Sequence, residues 1–314
     1  MGSSVPECVV DNDSLALLGF DPEWIVQRTG IRQRRHVPPG MCTSDLAVEA
    51  AQQCLARSEV DPQEIDLVLV ATYTPDMPMP STAALVQDRL GLTALAFDLQ
   101  AACAGFVLGL LTAAQYVASG CSQTALVIGA DCNSRIINPA DRQTYPIFGD
   151  GAGAVLLGRG QAQQGIVAYA VGADGSGASI LSRPAGGARL PAVAEDDPRR
   201  YLTMVGRPVF KWAIRMLGET IRDVLRTADV TLDEVDLVCL HQANLRIIEA
   251  VVENLQIDPA KVVNNLQYLG NTAAASIPLA LDEAVQQDRL GPGKLVLMSG
   301  FGGGLSWGTM LFRW

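Results

Sequence analysis

Apolar positions along this chain follow two periods, and the periods predict its elements. Leu46, Ala47, Ala50, Ala51, Cys54 and Leu55 recur at helical spacing, with Thr43 placed to cap that helix. Residues 66–71 read Asp-Leu-Val-Leu-Val-Ala, a buried strand. Residues 83–90 predict a helix stopped by Gly91. Residues 94–99 predict a strand that runs into a long apolar helix after Cys103, and 125–129 predict a third strand. The second half keeps this order. Val209, Ala213, Met216, Leu217, Ile221 and Val224 form one helical face, followed by a strand at 237–240 and a helix through Leu245, Ile248, Val251 and Leu255. A short strand at Val262–Val263, a helix over 272–285 and a strand at 295–298 complete the series. Helices alternating with continuous apolar strands predict an α/β protein with mainly parallel sheets.

The order is an internal repeat. Val60-Asp61-Pro62-Gln63-Glu64-Ile65-Asp66-Leu67-Val68 aligns with Val230-Thr231-Leu232-Asp233-Glu234-Val235-Asp236-Leu237-Val238, an offset of 170. Ala125-Leu126-Val127-Ile128 meets Leu295-Val296-Leu297-Met298 at the same offset. Two matches in one order indicate a duplication, with halves over residues 1–165 and 166–314. Pseudosymmetry then brings the strand ends after Ala71 and Leu240 together with the helix starts at Cys103 and Thr272. Convergent strand ends are where α/β sheets hold ligands. Between the halves, residues 183–200 are rich in Pro, Gly and charge and predict a loop or flap.

Composition narrows the class. The chain has 314 residues, 49% hydrophobic and 18% charged, which excludes a disordered protein. A net charge of −10 argues against a general nucleic-acid binder. The seven cysteines are odd in number and none forms a C-x-x-C pair, so a disulfide framework or structural zinc is not expected and a reducing compartment fits. The start shows no signal peptide, and Pro6 spoils a myristoylation motif. The apolar run over 101–120 is long enough to span a membrane, but apolar strands surround it and no basic flank is near. A buried helix is expected, with the protein cytoplasmic.

Three positions stand out for chemistry. Cys103 follows a strand and opens a helix, where the helix dipole lowers a thiol's pKa and free N–H groups can hold an oxyanion. His241 ends a strand and points at the same crevice. Asn271, an N-cap candidate in isolation, lies opposite Cys103 through the repeat. His36, within the basic run Arg34-Arg35-His36, reads as surface. Gly149-Asp150-Gly151-Ala152-Gly153 has the wrong context for a dinucleotide site, and no P-loop exists. The Gly300–Gly304 run suits a close backbone approach. A papain-type Cys-His-Asn protease would need disulfides and another architecture.

These residues carry a specific resemblance. Asp98-Leu99-Gln100-Ala101-Ala102-Cys103-Ala104-Gly105-Phe106, His241-Gln242-Ala243-Asn244-Leu245-Arg246-Ile247 and Gly270-Asn271-Thr272-Ala273-Ala274-Ala275-Ser276-Ile277-Pro278 resemble the signature blocks of β-ketoacyl-acyl carrier protein synthase III. Phe148–Ala154, Gly300–Gly308 and Glu23–Arg32 match further blocks, so the resemblance covers essentially the whole chain. It implies a thiolase-like fold with duplicated βαβαβ halves in five αβαβα layers. It implies acyl transfer from acyl-CoA to Cys103, then decarboxylative Claisen condensation with malonyl-acyl carrier protein. No tightly bound cofactor or metal is implied, only a coenzyme A thioester as substrate, and the expected assembly is a homodimer.

The resemblance also implies roles. Cys103 is the nucleophile, and the N–H groups of Cys103 and Gly303 hold the first oxyanion. His241 and Asn271 donate to the malonyl thioester oxygen, with Phe301 shielding that step. Trp24 and Arg142 match the pair that sandwiches the CoA adenine, and Arg28 joins them in substrate binding. Arg207, Lys211 and Asn244 fall along the pantetheine channel. Met79 would reach the partner's acyl pocket, where relatives often carry Phe. Arg246 and Arg215 would dock the carrier, although Glu253 and Asn254 replace basic residues common there. The family's opening strand is expected to be missing or cut before Gly2. Elongating synthases use two histidines, and thiolases a second cysteine near the end; this chain has no cysteine after Cys239. The alternatives are a synthase III-like enzyme of a polyketide or quinolone-type pathway, or a non-catalytic acyl-binding scaffold.

Overall fold

The computed structural model describes all 314 residues. Its longer strands are β1 (Gly2–Ser4), β2 (Leu67–Ala71), β3 (Leu95–Leu99), β4 (Thr124–Asp131), β5 (Gly151–Gly158), β6 (Gly165–Ala173), β7 (Leu237–Leu240), β8 (Leu295–Gly302) and β9 (Ser306–Arg313). The longer helices are α1 (Pro22–Thr29), α2 (Thr43–Ala56), α3 (Thr82–Arg89), α4 (Gly105–Ser119), α5 (Gly206–Ala228), α6 (Leu245–Leu255) and α7 (Ser276–Gln286).

Two sheets face each other. The first runs β1-β5-β4-β2-β3, and the second β7-β8-β9-β6. Helices α4 and α7 lie between the sheets, α2 and α3 cover the first, and α5 and α6 cover the second. This gives the five αβαβα layers. Both faces of each sheet are buried, which is why the inner strands read as unbroken apolar runs. Separate apolar clusters fill the spaces. Phe106, Leu110 and Ile277 sit between the sheets; Leu46, Val70 and Ile128 lie under α2; Ile221, Leu240 and Val251 lie under α5 and α6. The apolar run after Cys103 is therefore clamped in the central layer. The helix over Ala102–Ser119 is long and apolar enough to cross a membrane, yet here it packs between protein layers.

The sheets are mixed rather than mainly parallel. β2 pairs in parallel with β3 and β4, and β7 with β8. β5 joins β4 and β9 joins β8 antiparallel, as do the edge strands β1 and β6. Strands β4 and β8 match at an offset of 171 (Thr124 to Leu295), one more than at the first match, while β3 has no strand counterpart in the second sheet.

Four local expectations change. The opening strand is present, since Gly2–Ser4 pairs with Ala152–Ala154 and packs on α2. Cys42, not Thr43, caps α2, because its N–H donates to Asp45 Oδ2 at 2.7 Å. Val262 makes only an isolated bridge to Val238. Arg34 is not a surface residue. It is fully buried and donates to Val10 O, Asn12 Oδ1 and Pro146 O, while His36 Nε2 meets Phe148 O at 3.1 Å.

Candidate active site

Strand β3 delivers the chain to a single 3₁₀ turn, Ala102–Ala104, that leads into α4. Ala102 has φ +48, a left-handed conformation that a residue with a Cβ adopts at a cost of about 1 kcal/mol. The turn leaves Cys103 7% exposed on the wall of a cavity of about 1060 Å³. Thr72–Pro78 lines one side of the cavity, and Arg183, Gly187 and Pro191 of the inter-half loop line another. Gly303 also lines it, next to Leu181.

Strand β8 ties this turn to the second half through four consecutive residues. Ser299 O accepts the His241 N–H at 2.8 Å. Gly300 passes the Cys103 carbonyl so closely that a Cβ would lie 3.4 Å from it. Phe301 meets the His241 ring edge-on at 5.3 Å. At Gly302 a Cβ would lie 2.6 Å from Cys103 N, so only glycine fits. His241 and Cys103 thus flank one stretch of rigid strand. Asn271 belongs to the same assembly. It precedes the turn Ala273–Ala275, whose Ala274 methyl faces Gly105 at the start of α4. Asn271 Oδ1 accepts the Ala273 N–H at 2.9 Å, which leaves its amide NH₂ as the free end. His241, Asn271 and Phe301 are buried behind the cavity wall rather than on it.

Burial dominates the electrostatics. It pushes the His241 imidazole down to about 3, so the ring is neutral across the physiological range, with Nδ1 2.6 Å from Ser276 Oγ. It also pushes the Cys103 thiol well up, and the charge of Asp131 adds to this. The expected lowering by the helix N-terminus does not prevail. A helix dipole is worth about 0.3–2 kcal/mol, less than the cost of burying a thiolate without a cation. The unliganded pair is neutral thiol and neutral imidazole.

The outer residues fall into two groups. Trp24 is 43% exposed on α1, with Arg28 one turn further. Arg142 lies in the loop after Asn138, near Gly19. Asn244 is engaged at both ends, Nδ2 donating to Arg28 O at 3.1 Å and Oδ1 accepting the Arg246 N–H at 2.9 Å. It staples α1 to α6. Arg207, Lys211 and Arg215 stand one turn apart along α5, all exposed. Arg246, on α6, lies 6.0 Å from the Phe210 ring, and Asp174 feels the charge of Arg215. Met79 is 84% exposed and does not line this chain's own cavity. The sequence reading passed over Ser276 and Asp131. A charged residue closing the buried strand Thr124–Asp131 was the available signal.

Comparison with known proteins decides the family. The model for 3-oxoacyl-[acyl-carrier-protein (ACP)] synthase III matches residues 97–175, and that for its C terminal matches 225–314. The β-ketoacyl-[acyl-carrier-protein] synthase III of Rhodopirellula baltica is 53% identical over 333 residues, covering 100% of this chain and 96% of that protein. The chain belongs to the β-ketoacyl-[acyl-carrier-protein] synthase III family. The Desulfitobacterium hafniense member is 46% identical with the same coverage. The synthase III structure from Thermus thermophilus superposes with a TM-score of 0.94 at 41% identity, covering 100% of this chain and 97% of that one. Membership makes this chain an acyl-transferring condensing enzyme of the type that initiates fatty-acid biosynthesis.

Proposed function

We propose that Cys103 takes an acyl group from acyl-CoA and passes it to malonyl-acyl carrier protein. The observation that carries this reading is the Cys103 thiol on the cavity wall, the one cysteine there that opens a central helix, with strand β8 drawn against its backbone N–H by Gly302. In the first half-reaction the sulfur attacks the thioester carbonyl, the carbon–sulfur bond to CoA breaks, and the thiol proton leaves with CoA. The N–H groups of Cys103 and Gly303 hold the oxyanion. In the second, malonyl thioester loses CO₂, and the enolate attacks the acyl-cysteine to give a β-ketoacyl product and regenerate the thiol after protonation. Neutral His241 and the free amide of Asn271 donate to the thioester oxygen as charge develops. For this the imidazole proton sits on Nε2, with the Ser276 hydroxyl donating to Nδ1. Phe301 against His241 excludes water from the enolate.

Trp24, Arg28 and Arg142 form the CoA adenine end, and Arg207 and Lys211 the channel mouth. Arg246 and Arg215 are the carrier-docking cations on a chain of net charge −10, so attraction of an acidic carrier must be local. The enzyme is cytoplasmic and works as a homodimer. The exposed Leu95 on edge strand β3 and the exposed Met79 support a partner on that edge.

The test separates the half-reactions. Cys103→Ala abolishes the acyl adduct seen by mass spectrometry. His241→Ala or Asn271→Ala lowers malonyl decarboxylation about 10²–10³-fold and spares acylation. An adduct of similar yield on Cys103→Ala, or equal loss of both half-reactions in the other variants, overturns the assignment.

A further inference from the structure

The duplicated halves make the same turn twice. Ala102 has φ +48 and Ala273 has φ +52, each in a one-turn segment that opens a central helix. With β4 laid on β8, Asp131 corresponds to Gly302 and Ala274 to Cys103. At the strand end that faces each turn, the first half carries a carboxylate and the second a glycine. The Cys103 N–H meets no carbonyl and no side chain of another residue. The equivalent N–H, on Ala274, donates to Asp131 Oδ2 at 3.0 Å. Oδ1 accepts from Thr72 Oγ1 at 3.0 Å, Tyr73 N at 3.0 Å, Thr74 N at 3.2 Å and Thr74 Oγ1 at 2.8 Å. Asp131 is fully buried and makes no ion pair. A buried carboxylate held only by neutral donors at a helix start is the arrangement of a bound oxyanion.

We propose that Asp131 is a resident oxyanion mimic: its carboxylate fills, in the second half, the donor site that receives the thioester oxygen at Cys103, and thereby fixes the turn that follows Asn271. The inference rests on the role assigned to Cys103 above. Asp131 is a positioning residue. The Ala274 N–H is committed to Asp131 and the Ala273 N–H to Asn271 Oδ1, so the Asn271 amide nitrogen is the end left to donate. Without the carboxylate, a buried N–H is orphaned and the turn can relax. Asp131 also acts on Cys103 by charge, together with the neighbouring groups Tyr73 and Cys132, on which Asp150 bears as well.

Asp131→Gly reproduces Gly302 and empties the site; Asp131→Asn removes the charge and keeps one acceptor oxygen, its NH₂ turned on backbone N–H groups from which the carboxylate accepts. Malonyl decarboxylation should fall 10- to 100-fold in Asp131→Gly, with acylation of Cys103 changed less than threefold. Asp131→Asn should remain impaired, because its NH₂ faces either the Ala274 N–H or those of Tyr73 and Thr74. Formate should raise the melting temperature of Asp131→Gly and recover part of its decarboxylation, with no effect on the unsubstituted enzyme. Alkylation of Cys103 by iodoacetamide should shift to lower pH in Asp131→Asn. A formate-insensitive Asp131→Gly, or an Asp131→Asn that decarboxylates as fast as the unsubstituted enzyme, overturns the proposal. Should Asp131→Gly fail to fold, an unchanged alkylation profile in Asp131→Asn overturns it. The melting measurement reads the donor site whether or not Cys103 is the nucleophile, whereas an adduct surviving on Cys103→Ala sinks only that assignment.

Discussion

Acid should destabilise this protein through one imidazole. His241 is 2% exposed, and burial holds it at about 3 when folded, against about 6.5 in the unfolded chain. Between those values the unfolded state binds the extra proton, so stability rises with pH and is lost as pH falls from about 6.5 toward 3. Integrating from pH 7 to 4.5 gives a loss of about 2.5 kcal/mol from this residue alone. His241→Gln removes the titration and keeps a polar partner for Ser276. Urea unfolding of both proteins at pH 7 and 4.5 isolates the contribution as a difference of differences. His36, the chain's other histidine and also pushed down by burial, is common to both proteins. So is Asp131, which burial pushes up to about 6 and whose effect has the opposite sign. The variant should lose about 2.5 kcal/mol less than the unsubstituted protein over this interval. Parallel losses, within about 0.5 kcal/mol, would refute the idea that His241 is folded as a neutral ring.

Three further outcomes follow from the geometry. Gly302→Ala places a methyl 2.6 Å from Cys103 N; overpacking should cost about 1–3 kcal/mol and slow acyl loading about 10²-fold, and loading at the original rate in stopped-flow assays would show that this N–H holds no oxyanion. Arg246→Glu should raise the KM for malonyl-carrier strongly and leave the acyl-CoA half-reaction nearly unchanged; an equal response of both substrates would place the carrier elsewhere. Met79→Trp should shorten the accepted primer in competition assays with mixed acyl-CoAs, because added volume in a packed pocket is poorly absorbed, and an unchanged profile would remove Met79 from the pocket.

The sequence made the helices legible because their apolar faces keep a strict period, as along α5 and α6. It made the inner strands legible because both their faces are buried. The antiparallel strands were harder to read. Gly151–Gly158 begins Gly-Ala-Gly-Ala, small residues that let α7 approach and carry little strand signal. The turn at Cys103 was legible through the repeat. Its electrostatics were not, because a helix start is a local feature whereas burial depends on two sheets closing over it. Arg34 misled for the same reason. A run of basic residues reads as solvated until the carbonyls of Val10 and Pro146 are seen around it. Asn244, expected as a substrate contact, also joins two helices, a role that only the packing of α1 against α6 reveals.

The cavity that holds Cys103 is built from parts of unequal stiffness. Its floor rests on β8, paired along its length with β9 and over Val296–Ser299 with β7. The wall at Arg183–Pro191 is tied down by a few loop bonds, among them Ala185 N to Arg199 O and Gly186 N to Leu190 O. Amide exchange at Val296–Ser299 should therefore require global opening, while the wall exchanges through local excursions of far lower free energy. Admission of a bulky acyl chain and alignment of the reacting atoms then draw on different reservoirs of motion. The entrance can vary its sequence to suit new chains, because the registry of the strand beneath it does not depend on the wall.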